Sequence, residues 1–345
     1  MRHLPVLILL ALATFAGAGL AQPTGVTPGA KSDGLEAARR EGAVNFYTSM
    51  NEKDVLGLAA AFENKYGIKV NVWRSGKNKV LQRTITEAGA GRHEVDVVHN
   101  PAPEMEALHN EKLLVPVRSP ATLDLIAGLA PKHADWAPLR VYVFVQAYNT
   151  NAVAKEEVPR TFADLLNPRW KGRLGIEAKQ QEWFATFAQA IGEQRGVKLL
   201  RDIASTNGLS VRSGNSLLTN MVVSGEVPLG LTVYSYLAEQ AKAKGAPIDY
   251  IALKPTIAYT DGIGIVGRAP HPNAARLFYD FMLTDGEVMM RAQRQLTAHR
   301  QDEATVARFE PVFIDPARVL VDYDKWAQLY EDTISGRAPR SQAAR

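Results

Sequence analysis

The strongest constraint on this chain is an alternation of two periodicities. Short β-branched runs are separated by amphipathic segments of helix length, and the runs end in small polar residues. Val44 to Thr48 reads as a buried strand. Ser49 stands three residues before Glu52, the spacing of a capping box. Val55, Leu58, Ala59, Phe62 and Tyr66 follow at helical spacing, and Gly67 supplies the left-handed stop. Ile68, Val70 and Val72 alternate with Lys69, Asn71 and Trp73 as a second strand. Ser75-Gly76 opens a helix carrying Val80, Leu81, Ile85 and Ala88, and Val95 to His99 is the next strand. Strands alternating with helices of this length predict an α/β fold, a parallel sheet with helices on both faces.

The pattern returns further on. Leu174 to Ile176 reads as a strand and Trp183 to Leu200 as mostly helical. Ser213 to Val223 reads as a helix closed by Gly225, followed by the strand Val227 to Val233, the helix Tyr236 to Lys244 and the strand Ile248 to Leu253. At about 150 residues per domain, 345 residues suit two such units. Two extended runs, Arg140 to Tyr148 and Ile257 to Val266, read as connections between them; the second contains an Asp-Gly turn signal. Pro272 begins an amphipathic helix, and it and the later helices are expected to return to the first unit. The small, basic stretch from Ser335 to Arg345 is expected to fray.

Composition removes whole classes of function. Hydrophobic residues at 46 % supply a core. The net charge of +4 is spread with no Lys/Arg run longer than a pair, which argues against nucleic acid as a partner. The absence of cysteine rules out disulfides, thiol catalysis, cysteine-held metals and a lipid-bearing cysteine anchor. No G-x-S-x-G elbow, P-loop, G-x-G-x-x-G or H-E-x-x-H occurs, and Gly262-Ile263-Gly264 is only a fragment of a dinucleotide motif. His93, His99 and His109 lie close in sequence, but none sits at paired-ligand spacing on one element. Residues 1–21 have a basic start, an apolar stretch from Leu4 to Ala18 and small residues before Ala21. This predicts a secretory leader cut after Ala21 and a periplasmic location.

What remains is a set of polar residues at strand ends and helix starts. In the first unit these are Thr48, Ser49 and Asn51, then Ser75, Gly76 and Lys77, then His99 and Asn100. In the second they are Ser213, Gly214, Asn215 and Ser216. Helix N-termini offer unpaired N–H groups and about half a positive charge. With Arg74, Lys77 and Arg212 alongside they suit an oxyanion, although Ser and Asn are also ordinary caps. Tyr234 and Tyr236 close a strand at i, i+2 spacing, on one face. As phenolates they would ligate a hard cation, with His99 nearby; as phenols they would hydrogen-bond an anion or simply pack. Tyr259 and Asp261 would reach the same crevice, Asp261 being equally explained as a turn residue.

Four stretches carry a family likeness: Val44–Val70, Asn167–Glu177, Asn215–Glu239 and Thr260–Leu283. On these the chain resembles the periplasmic ferric-ion-binding group of extracellular solute-binding proteins of ABC transporters. The resemblance implies a two-lobed type II periplasmic binding fold with two crossover strands as hinge. Lobe 1 would comprise 22–142 plus 265–345, and lobe 2 143–264. It implies a non-enzymatic monomer that delivers a cleft-bound ligand to an inner-membrane ABC permease. Iron-binding members use His or Tyr in the first loop, where Thr48-Ser49-Met50-Asn51 stands here. Many use Glu after the third strand, where this chain has His99-Asn100-Pro101, and an adjacent tyrosine pair, split here by Ser235. The resemblance therefore leaves two ligand classes: ferric iron with a synergistic anion, or a phosphonate, phosphate ester or carboxylate. A periplasmic enzyme or a ligand sensor on the same fold are the rival classes.

Overall fold

The computed structural model describes residues 30–336 of the chain. The expected leader and the last nine residues lie outside them. The first lobe begins with α1 (Ala30–Glu41), β1 (Ala43–Thr48), α2 (Glu52–Tyr66), β2 (Lys69–Arg74), α3 (Lys77–Gly89), β3 (Val97–Pro101), α4 (Ala102–Asn110) and β4 (Leu114–Val115). The long β5 (Ala137–Asn149) leads to β6 (Leu174–Glu177), α5 (Gln181–Ile191), α6 (Glu193–Asn207), β7 (Ser210–Arg212), α7 (Asn215–Ser224), β8 (Leu229–Tyr234), α8 (Ser235–Ala243) and β9 (Ile248–Ile251). A second long strand, β10 (Ile257–Val266), leads back to α9 (Pro272–Met282), α10 (Asp285–Ala292) and β11 (Leu296–Thr297). Then come α11 (Glu303–Ala307), β12 (Val312–Phe313), α12 (Pro316–Val321) and α13 (Tyr323–Ile334).

The sheet order is β2-β1-β3-β10-β5-β8-β6-β7, with β4 and β12 on β10 and β9 and β11 on β5. Within each lobe the pairing is parallel, β1 with β2 and β3, and β6 with β7 and β8. The two long strands run antiparallel to each other and to β3 and β8. The sheet is thus mixed, where periodicity alone predicts a parallel one. Strand direction is set by connections, which the apolar pattern does not record.

Each lobe has its own aromatic core. Phe46, Phe62, Phe278 and Phe281 meet edge to face at 4.9 to 5.4 Å in the first. In the second, Trp183 stacks on Phe187 at 5.3 Å, and Phe184 meets Trp326 and Tyr330 of α13. Here the expected return of the C-terminal helices to the first lobe is corrected. α9 packs on α1 and β1, but α13 packs on α5 and α6, while α12 lies on α4. The apolar stripe of α13 matches a gap in the second core that its place in the sequence does not reveal. Among the described residues no helix is long and apolar enough to cross a membrane.

The Asp-Gly pair does not turn. Asp261 and Gly262 lie inside β10, where the register with β5 shifts between Thr260 and Gly262. Gly262 is small because Trp136 covers it: an added Cβ would meet the indole at 2.5 Å. The glycine pattern that mimics a dinucleotide motif therefore serves close packing at the crossing.

Candidate functional site

A cleft of about 570 Å³ opens between the lobes at the crossing strands. The starts of α2, α3, α5, α7 and α8 converge on it, and none of these five helices is capped by its own N-cap side chain. The N-cap of α2 is Asn51, not Ser49, so the expected capping box from Ser49 does not form. The Asn51 amide is used elsewhere: its Nδ2 donates across the cleft to the Tyr236 hydroxyl at 3.2 Å. Ser49, Asn51, Lys77, His99, Ser213, Asn215, Tyr234, Tyr236 and Asp261 all line the cleft, with Arg74, Gly76, Gly214, Ser216 and Tyr259.

Three expected residues stand outside the lining: Thr48, Ser75 and Asn100. Thr48 is fully buried; its hydroxyl accepts from Met50 N at 3.0 Å and contacts His99 Nδ1 at 3.0 Å. Asn100 is also buried, and donates to the Lys77 carbonyl at 3.0 Å, fixing the start of α3. Arg212 turns away to the Met221 sulfur.

His99 and Asp261 prove to be framework. Asp261 accepts from the Arg140 backbone at 2.9 Å, from its guanidinium at 2.6 and 2.9 Å, and from Tyr142 at 2.9 Å. His99 Nε2 lies 2.7 Å from the same carboxylate. Burial pushes the Asp261 carboxyl up, but Arg140 and His99 outweigh it and hold it far below the usual carboxylate range. Burial lowers His99, so the ring is neutral near pH 7. Its Nδ1 faces the Thr48 hydroxyl, and its Nε2, though beside the Asp261 carboxylate, makes no aligned hydrogen bond. Thr48, His99 and Asp261 form a hydroxyl–imidazole–carboxylate row, yet the buried hydroxyl is out of a substrate's reach.

The tyrosines meet as expected, by a different route. Tyr234 ends β8, whereas Tyr236 is the second residue of α8 rather than part of the strand. Their rings nevertheless lie near-parallel, 6.1 Å apart, in the same cleft. The Tyr234 and Tyr259 hydroxyls are 2.9 Å apart, and Gln180 Nε2 donates to Tyr234 at 3.3 Å. Tyr142 stacks on Tyr259 at 4.7 Å. Burial raises the Tyr234 phenol to about 12, and Tyr236 and Tyr259 are raised by the same cause. All three are neutral phenols at pH 7.

Two of the cleft's cations, Lys77 and Arg140, are already answered by the chain. Lys77, on the first lobe, contacts Glu104 at 3.1 Å and also Glu182, at the start of α5 on the second. Burial pulls the ammonium down, but the two carboxylates outweigh it and hold it well above the usual lysine range. Glu177 receives Gly214 N at 2.9 Å and Lys179 N at 2.6 Å, so a carboxylate of the chain itself already sits at the start of α7. Arg74 donates only Nε, to the Met50 carbonyl at 2.9 Å, leaving the rest of its guanidinium facing the cleft. Arg140, Glu177, Gln180 and Glu182 escaped the sequence reading. The strand-end rule applied to β6 as well would have reached the last three.

Comparison with known proteins is consistent with this architecture. A family profile described as bacterial extracellular solute-binding protein matches residues 100–307. The chain belongs to this family. Among curated relatives, this solute-binding protein is 25 % identical over 205 residues to the Fe(3+)-binding periplasmic protein of Serratia marcescens, covering 59 % of this chain and 60 % of that relative. It is 23 % identical over 312 residues to iron uptake protein A1 of Synechocystis, covering 85 % of this chain and 84 % of the relative. Iron-bound HitA from Pseudomonas aeruginosa superposes with a TM-score of 0.74 at 21 % identity, over 84 % of this chain and 99 % of that one. AfuA from Actinobacillus pleuropneumoniae, with fructose-6-phosphate bound, superposes with a TM-score of 0.66 at 20 % identity, over 84 % and 94 %. These structures show the two-lobed periplasmic binding fold.

Proposed function

We propose that this solute-binding protein captures a small organic oxyanion in the periplasm, a phosphonate, phosphate ester or carboxylate, and hands it to an ABC permease without chemical change. The hinge would lie where the crossing strands pass between the two lobes expected from the sequence, 22–142 plus 265–345 and 143–264, except that α13 packs on the second. One observation carries the reading: five helices start at the cleft with no cap from their own N-cap side chains, Glu177 taking the Gly214 N–H before α7, and Arg74 lines the same cleft. Tyr142, Phe144, Tyr236 and Tyr259 add an aromatic floor suited to the apolar part of such a ligand. Contacts to both lobes, as Asn51–Tyr236 already makes, would favour the closed form that the permease reads.

A second reading, ferric iron with a synergistic anion, is favoured by the Tyr234–Tyr259 hydroxyl contact at 2.9 Å and by the printed names of the relatives. It must deprotonate phenols that burial keeps neutral, and ferric iron prefers several hard anionic oxygens. A thermal-shift series separates the two. Saturating phosphonate or phosphate ester is expected to raise Tm, a ligand at 100 Kd adding about 2.7 kcal/mol, and ferric citrate to leave the protein colourless. A visible charge-transfer band with ferric citrate, lost in Tyr236→Phe, together with indifference to organic anions, would overturn the oxyanion reading.

A further inference from the structure

We propose that Glu106, His109 and His133 form a second, independent site on the first lobe for a divalent transition metal of the zinc class, with Asp135 orienting the His109 imidazole. None of the four residues lines the cleft. Glu106 and His109 stand at i, i+3 on one face of α4. His133 and Asp135 come from the segment just before β5, so the cluster joins a helix to the root of a crossing strand. Candidate ligand atoms of Glu106, His109 and His133 lie within 4.8 Å of one another. The two rings stack 3.6 Å apart and 9° from parallel. Side-chain exposures of 29 % for His109 and 21 % for His133 leave the rings open to an ion from solvent.

The hydrogen bonds fit this use. His109 Nδ1 lies 2.5 Å from Asp135 Oδ2, so with the proton on Nδ1 its Nε2 keeps a lone pair. A carboxylate behind a histidine in this manner fixes the tautomer that a metal requires. His133 Nε2 lies 3.1 Å from Glu106 Oε2, and its Nδ1 accepts from Asp135 N at 3.1 Å. Moving the His133 proton from Nε2 to Nδ1 breaks that backbone contact. Asp135 Oδ2 lies 3.9 Å from that nitrogen, so the ring must also turn before the new N–H reaches it. His109 already has its Asp135 partner, and with the His133 ring turned both Nε2 lone pairs would face the cation beside Glu106. The rings must splay from their stack to aim at one ion. Trp136 Nε1, 3.3 Å from Glu106 Oε2, steadies the third ligand. Two imidazoles with one carboxylate suit zinc and its neighbours, whereas magnesium and calcium prefer oxygen throughout.

The test is titration of the untagged, EDTA-stripped chain with Zn²⁺ by calorimetry and with Co²⁺ by visible absorption. One Zn²⁺ per chain is expected, with a Co²⁺ d–d spectrum and no competition from excess Mg²⁺. Asp135→Asn is expected to weaken Zn²⁺ binding about 10- to 100-fold, and His109→Asn with His133→Asn to abolish the Co²⁺ spectrum while circular dichroism stays native. Absence of saturable binding at one equivalent, or binding unchanged in Glu106→Gln and the histidine pair, would overturn the proposal. Should the histidine pair fail to fold, the single Glu106→Gln and Asp135→Asn variants decide the matter. Cleft ligands have no part in any arm of the experiment.

Discussion

Replacing Lys77 by Met examines the claim that one ammonium holds two carboxylates at the mouth of the cleft. Side-chain exposures are 24 % for Lys77, 4 % for Glu104 and 6 % for Glu182. Removing the cation leaves two buried carboxylates facing each other with no counter-ion. Breaking a buried pair in this way costs about 3–5 kcal/mol. At roughly 2–4 °C per kcal/mol for a chain of this size, Tm should fall on the order of 10 °C at pH 7. Glu182→Gln makes the contrast. Lys77 keeps Glu104 at 3.1 Å, the amide oxygen still accepts, and Glu104 loses the like charge that, after burial, helps to raise it. That variant should lose about 1 kcal/mol. Adding Glu182→Gln to Lys77→Met should recover part of the loss, a coupling visible in a double-mutant cycle. Calorimetric melts of the parent and three variants suffice. If Lys77→Met melts within about 3 °C of the parent, or Glu182→Gln costs as much as Lys77→Met, the two-carboxylate bridge does not exist in solution.

Glu287, on α10, is 1 % exposed, has no hydrogen-bond partner for either oxygen among the described residues, and has Arg291 at 3.6 Å. Burial raises its carboxyl to about 8. Between about 4.5 and 8 the unfolded chain ionises while the native one keeps its proton, so stability falls as pH rises through that window. Glu287→Gln should therefore gain stability over the parent at pH 8.5 and little at pH 4.5; parallel Tm–pH curves would refute this. Gly262→Ala should cost about 1–3 kcal/mol by overpacking against Trp136, read as a lower urea midpoint at unchanged slope; an unchanged midpoint would show that the indole yields freely.

Most of the strands and helices that build the cleft were legible because their apolar periodicities are undisturbed, as in Val44–Tyr66. Gly67 and Gly225 stop their helices in the left-handed conformation as read. The strand-end rule brought Ser49, Asn51, Ser213 and Asn215 to one crevice. It failed for Ser75, and for Thr48 and Asn100, which turn inward to bond backbone and histidine, because direction about the strand axis depends on pairing still unknown from sequence. Asp261 was obscured by the Asp-Gly signal; the overlooked clue is Arg140, a charge inside an apolar strand that demands a buried partner. The Glu106–His109–His133 cluster was hidden because its two halves come from separate elements. Only the i, i+3 pair on α4 was visible, and the histidines were compared only with one another.

The chain passes between its halves a third time, where α12 lies on α4 and α13 on α5 and α6, with Gln181 Nε2 donating to Tyr323 at 2.6 Å. Two neighbouring ribbons alone permit torsion along their length as well as bending. If the hinge lies in the two crossing strands, as proposed, a third tether set apart from them should resist the torsion and favour bending. Two distances, each between one labelled position on either half, should then change together when the cleft closes.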